Sequence, residues 1–111
     1  MPYPSASPMN LCPQPNIAAK SAIETWGEYE QRQIAVEELA ELIVALKHYE
    51  RHRVDDDAVI EEIADVCVVL SQLAVMFGHD RINDRVRQKT ERLMREINLV
   101  GGFTALARDE R

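Results

Sequence analysis

Residues 66–77 read VCVVLSQLAVMF and contain no charged side chain. Apolar side chains recur on nearly every side of the helix that this stretch would form, so that helix must be covered all round. The helices of one small subunit can hardly provide such cover. We therefore expect a helical-bundle homo-oligomer, a homodimer or a tetramer, in which this helix lies near the interface under closed symmetry.

The flanking sequence also reads as helix, with no sustained strand alternation. All five prolines lie in residues 1–15, which we expect to form a flexible arm. Residues 16–98 form an expected all-α domain, because Asn, Asp and Gly supply helix start and stop signals at intervals. Asp80 should cap the fourth helix, and the tail at 99–111 is either a short helix or disordered. The four expected helices run from Ile17 to about residue 25, Glu28 to about residue 52, about residue 56 to Phe77, and about residue 81 to residue 97.

The composition narrows the class of protein. The chain has 111 residues, which suits one domain, and 19 acidic against 13 basic residues give a net charge of −6. That acidity argues against a nucleic-acid binder, which needs a surplus of Lys and Arg. The longest predominantly apolar run without charge, residues 66–78, is too short to span a membrane, and the N-terminus lacks a signal-peptide pattern. Cys12 and Cys67 are too few for a disulfide scaffold, so we expect a cytoplasmic protein.

Charge is unevenly distributed along the chain. Residues 28–65 carry twelve acidic and four basic side chains, whereas residues 81–95 carry six basic and two acidic ones. Either an acidic cluster faces a basic one, or solvated helix faces happen to differ in sign.

Two of the expected helices each carry an acidic pair spaced i, i+3, which places both carboxylates on one face. The pairs are Glu38 with Glu41 and Glu62 with Asp65. A solvated acidic face is the simple alternative, but each pair shares its arc with apolar residues that should be buried. Divalent cations would offset the cost of burying such charges. An all-carboxylate set suits Mg²⁺ or Mn²⁺ rather than zinc, and it lacks the Glu-x-x-His pairs of di-iron bundles.

The fourth helix presents a row of cations. Lys89 falls on its apolar stripe, and Arg85 and Arg92 lie one turn before and one turn after it. A lysine with its stem on the apolar surface and solvated arginines are one interpretation. The other is a row that receives phosphates bridged by metal ions, as in phosphoryl transfer.

The acidic motifs also resemble those of a known family. Glu-Glu-x-x-Glu at residues 37–41, followed after twenty residues by Glu-x-x-Asp at residues 62–65, resembles the MazG-like all-α nucleoside triphosphate pyrophosphohydrolase superfamily. The similarity covers about residues 17–97 and extends to small, often phage or prophage, members of that superfamily.

Other parts of the chain carry the resemblance less specifically. Trp26-Gly27 followed by Gln31 is similar to these small members, and Lys89 with Arg92 resembles the basic phosphate-contacting segment of the last helix. The chain departs from the pattern directly after Arg92, where Leu-Met stands and many relatives carry an Asn shortly after the Lys.

The resemblance implies Mg²⁺-dependent hydrolysis of a nucleoside triphosphate to the monophosphate and pyrophosphate. Glu38, Glu41, Glu62 and Asp65 would then bind two or three metal ions. Glu37 or Glu41 would help to deprotonate the attacking water, because a carboxylate next to metal-bound water can accept its proton.

The remaining candidates are assigned by residue type. Trp26 could stack on a base and Gln31 could hydrogen-bond a base edge, although a lone Trp is commonly a core residue. His48 and His52 should be exposed near the end of the second helix, and Cys67 should pack in the third. The alternative to an enzyme is a non-catalytic helical dimer that serves as a nucleotide sensor, adaptor or regulatory subunit.

Overall fold

The computed structural model describes residues 14–109, with side chains described up to residue 101. This part of the chain is all helical and contains no strand. Its helices are α1 (Ile17–Trp26), α2 (Glu28–Glu50), α3 (Asp56–Phe77) and α4 (His79–Asp109). The expected all-α class is therefore confirmed, whereas the predicted arm at residues 1–15 falls almost wholly outside the described residues.

The starts of α1 and α3 are fixed by side-chain caps, as the sequence predicted. The Asn16 Oδ1 atom accepts a hydrogen bond from the Ala19 N–H at 2.8 Å, and the Asp55 Oδ1 atom accepts one from the Ala58 N–H at 3.2 Å. Each bond satisfies one backbone donor that the first turn leaves free. Gly27, at a φ of 92°, turns the chain directly from α1 into α2.

Helices α2 and α3 form the body of the protein, and α1 packs against both of them. The two long helices are joined by the short segment 51–55, which makes them antiparallel neighbours. The side chains that they bury together with α1 are small. The most buried apolar residues are Ala19, Ala35, Ala45, Val66, Val69 and Ala74.

Helix α4 differs from the expectation in its length, its start and its position. It begins at His79, so Asp80 lies within the first turn and does not cap the helix. It continues through Gly101 and Gly102 to Asp109, about 46 Å at 1.5 Å per residue. Within the described region it contacts α3 alone. The radius of gyration is 17.8 Å, against roughly 13 Å for a compact domain of about this length.

One chain leaves many large apolar side chains exposed. Helix α3 has the uncovered surface that its sequence predicted, since Val68 is 61% exposed, and Cys67, expected to pack, is exposed as well. Further exposed apolar residues on α2, α3 and α4 include Val36, Leu39, Ile43, Ile60, Ile63, Leu93 and Ile97. Among the described helices, none is both long and apolar enough to cross a membrane.

Candidate metal centre

Four carboxylates from α2 and α3 meet at one point between the two helices. Spacing of i, i+3 keeps each pair on one helical face. The antiparallel packing then brings the two faces together, so that one oxygen from each residue lies within 4.8 Å of the others. The four residues are the ones that the sequence predicted, Glu38, Glu41, Glu62 and Asp65.

The packing also fixes the register of the two helices. The Glu38 carboxyl faces Asp65, and the Glu62 carboxyl faces Glu41. A step of three residues toward the C-terminus of α2 is therefore matched by a step of three toward the N-terminus of α3, as two antiparallel helices of equal rise require.

Two members of the cluster are partly buried and two are exposed. Glu38 and Glu62 are half-buried, and the Oε2 atom of each is inaccessible and has no hydrogen-bond partner. Glu41 and Asp65 lie at the solvent edge. Buried oxygens without a donor are costly, so the arrangement calls for a proton or a cation.

The electrostatics of the half-buried pair follow from this placement. Burial is the main cause that raises the pKa of Glu38, and the charges of Glu41, Asp65 and Glu62 raise it further. Burial likewise raises the pKa of Glu62, followed by the charges of Glu41 and Asp65. Desolvation and like charge both disfavour the ionised form. A divalent cation would reverse both effects, so this cluster could hold one.

The predicted cations do not meet these carboxylates within one chain. Arg85 and Lys89 line a separate cleft of about 430 Å³ at the α3–α4 junction, beside Phe77. Arg92 is paired with Glu96 at 3.1 Å. Among the described helices α4 contacts neither α1 nor α2, and none of the three cations lines the groove between α2 and α3 that Glu41 and Glu62 line.

The other predicted site residues are spread over α1 and α2. Glu37 is exposed and is not one of the four clustered carboxylates. Trp26, which has no core position in the single chain, is 63% exposed. Gln31 is only 3% exposed, and its Nε2 atom is buried without a partner. Any base that Gln31 contacts would have to reach it through the packed helices.

Two residues near the cluster had no functional assignment from the sequence. Gln72 is 7% exposed and its Oε1 atom lacks a partner. The register of α2 and α3 sets it level with Gln31, two turns from the carboxylates. The sequence contains a signal for this residue, because an amide within the apolar run 66–77 must be buried and therefore needs a hydrogen-bond partner.

His48 is the second such residue. It was expected to be exposed, but it is half-buried in a groove between α2 and α3, and Glu41 and Glu62 line the same groove. Its sequence signal is the seven-residue spacing from Glu41, which puts both on one side of α2. His52 is exposed in the turn after α2, with a φ of 58°.

Comparisons of this chain with family models, with curated proteins and with solved structures find no match. The similarity to MazG-like proteins thus rests on the residue motifs alone and stays a prediction.

Proposed function

We propose that the chain hydrolyses a nucleoside triphosphate, ribo- or deoxyribo-, to the monophosphate and pyrophosphate with the help of Mg²⁺ or Mn²⁺. One observation carries the proposal. Four carboxylates converge within 4.8 Å, and two of them keep a buried oxygen without a partner. A solvated acidic face would not bury those oxygens, whereas a hard divalent cation needs just such ligands.

The proposed roles follow from position. Glu38 and Glu62 hold the cation from the buried side, and Glu41 and Asp65 hold it from the solvent side. A bound metal ion would lower the pKa of water and neutralise charge on the phosphates. Glu41, or Glu37 beside it on α2, accepts the proton of the attacking water. Because Glu37 is exposed, it can do so only through water at the edge of the cluster.

The proposal includes self-association. Exposed apolar side chains on three helices, and the packing of α4 against α3 alone among the described helices, leave a single chain incomplete. We therefore propose a homodimer or tetramer in which Lys89, Arg85 and Arg92 approach the triphosphate. In that assembly the cations would contact phosphate oxygens, and these contacts would offset the repulsion among three positive charges on one helix.

Pyrophosphate release from a panel of canonical and modified nucleoside triphosphates, with Mg²⁺ present, tests the function. We expect release with at least one nucleotide and its loss in Glu38→Gln and Asp65→Asn. Glu61→Gln is the matched control, because Glu61 precedes the motif on α3 and does not belong to the cluster. Folded wild-type protein that releases no pyrophosphate from any nucleotide would refute the proposal.

A nucleotide sensor without turnover is the second candidate, and it is favoured by the placement of Arg85 and Lys89, which line the cleft beside Phe77 and not the groove at the cluster. Such a protein would bind metal and nucleotide at the same carboxylates but lack charge stabilisation in the transition state. Rates separate the two candidates. Tight nucleotide binding with no product after prolonged incubation indicates the sensor, and turnover indicates the enzyme.

A further inference from the structure

An open groove of about 370 Å³ runs between α2 and α3 and begins at the carboxylate cluster. Glu41 and Glu62 line it at the cluster, and His48 lines it two turns further along α2. Its remaining walls are small and apolar, and they are formed by Ala40, Val44, Ala45, Val54 and Ala58.

The groove is continuous with the proposed metal centre. Because Glu41 and Glu62 belong to both, a molecule held at the cluster through its phosphates can extend directly into the groove. Seven residues separate Glu41 from His48, about 10 Å along the helix axis. The His48 imidazole thus lies at one end of an apolar groove, and the Glu41 and Glu62 carboxylates lie at the other end.

The opposite direction along the same two helices is closed. There Gln31 is 3% exposed and Gln72 is 7% exposed, and α1 packs over both helices. A phosphate-bound ligand that extends away from the cluster therefore finds open space on the His48 side and packed side chains on the Gln31 side.

We propose that this groove binds the nucleoside part of the substrate, an inference that rests on the proposed function. The sugar and base lie between the alanine-rich walls, and His48 contacts the polar edge of the nucleoside. This differs from the assignment of base binding to Trp26 and Gln31, which the resemblance suggested.

The lining also restricts the substrate class. Most of the lining belongs to α2 and α3, whose backbone groups are largely hydrogen-bonded within each helix, and among the lining side chains beyond the cluster only His48 is polar. Strong rejection of a wrong base requires hydrogen-bonding groups that the wrong base leaves unpaired, and apolar walls discriminate weakly. The site therefore selects bases by size and shape, and values of kcat/KM among nucleotides of one base size should differ by less than about 100-fold.

Calorimetric titration with the non-hydrolysable α,β-imido analogues of dUTP and dATP tests the groove. The Mn²⁺-loaded full chain is compared with three variants. Val44→Phe fills the groove from a residue that is 51% exposed, so the core is untouched. His48→Ala removes the polar group. Val36→Phe is the control, because Val36 is a 60% exposed valine of the same helix that does not line the groove.

We expect Val44→Phe to weaken binding of at least one analogue 10-fold or more, and His48→Ala to weaken it measurably. Val36→Phe should bind like wild type, and Mn²⁺ affinity should be equal in all four proteins. Unchanged analogue binding in Val44→Phe and His48→Ala would refute the nucleoside site in the groove and would leave the proposed function unaffected. A change of oligomeric mass in Val44→Phe with intact analogue binding would also refute the nucleoside site, because the groove would then be an interface between subunits. Mn²⁺-loaded wild type that binds neither analogue would overturn the proposed nucleoside site, because a site that selects by size accepts one of the two base sizes, and the pyrophosphate-release panel would then decide the function separately.

Discussion

The response of folding stability to divalent cations follows directly from the carboxylate cluster. A ligand that binds only the folded chain adds RT ln(1 + [L]/Kd) to the free energy of unfolding. The four oxygens within 4.8 Å exist only when α2 and α3 are packed, so the unfolded chain offers no comparable site. Replacing a cluster carboxylate with an amide should therefore remove this stabilisation.

The same substitution has the opposite effect without metal. Burial and neighbouring negative charge raise the pKa of Glu62, which means that its ionised form is disfavoured in the folded chain. Glu62→Gln removes that charge and keeps the side-chain shape. In a chelator, the variant should consequently melt at a higher temperature than the wild type, and in Mn²⁺ it should melt at a lower one.

The expected stabilisation by Mn²⁺ can be calculated. At a free Mn²⁺ concentration about 100-fold above the dissociation constant, the wild type gains about 2.7 kcal/mol. For a domain of this length that corresponds to a rise in Tm of about 10 °C. Glu62→Gln should retain only a small part of this rise.

Thermal melting by circular dichroism, in chelator and in a Mn²⁺ series, measures both signs. Glu61→Gln is the control, since Glu61 is the adjacent exposed carboxylate outside the cluster, and it should keep the full response to metal. Equal Mn²⁺ stabilisation of wild type and Glu62→Gln would refute the metal centre. A lower Tm of Glu62→Gln in chelator would refute the charge argument.

Three further outcomes follow from the described contacts. The pKa values of Glu38 and Glu62 are raised in the folded state, so the contribution of these two groups to the free energy of unfolding is complete below the ordinary carboxyl pKa and is lost as pH rises through the raised values. In urea titrations of metal-free protein, the wild type should therefore lose stability more steeply above about pH 4.5 than the Glu38→Gln/Glu62→Gln variant does. In the same titrations, Val69→Ala should lower the free energy of unfolding by about 2 kcal/mol, because Val69 is 3% exposed. Val68→Ala should lower it by less than about 0.5 kcal/mol, because Val68 is 61% exposed. Equal losses in the two variants would contradict this packing. Asn16→Ala should cost about 1 kcal/mol through loss of the cap to Ala19, and Asn16→Ser should largely restore it.

Local helical geometry made the candidate metal centre predictable. A spacing of i, i+3 places two side chains together whatever the rest of the fold does, so Glu38 with Glu41 and Glu62 with Asp65 could be paired from sequence. Their placement on arcs shared with apolar residues indicated burial, and Glu38 and Glu62 are indeed half-buried. The short connection between α2 and α3 then left little freedom in how the two pairs meet.

The rest of the site depended on tertiary register and on helix length, which local patterns do not determine. The seven-residue spacing from Glu41 puts His48 on the cluster side of α2, but it does not show that α3 leaves an open groove beside the last two turns of α2. Helix α4 passes Gly101 and Gly102 because each glycine costs a helix only about 1 kcal/mol, which the rest of a long helix can offset. The packing of α4 against α3 alone likewise depends on tertiary contacts that its own sequence does not specify.

The identity of the products distinguishes pyrophosphohydrolysis from every other cleavage of a nucleoside triphosphate. Phosphorus NMR on wild-type protein incubated with Mg²⁺ and each nucleoside triphosphate resolves monophosphate, diphosphate, pyrophosphate and orthophosphate in one spectrum. We expect equal amounts of monophosphate and pyrophosphate that appear only with metal and only while the carboxylate cluster is intact. Diphosphate with orthophosphate, or pyrophosphate formed equally well by Glu38→Gln, would contradict the proposed hydrolysis.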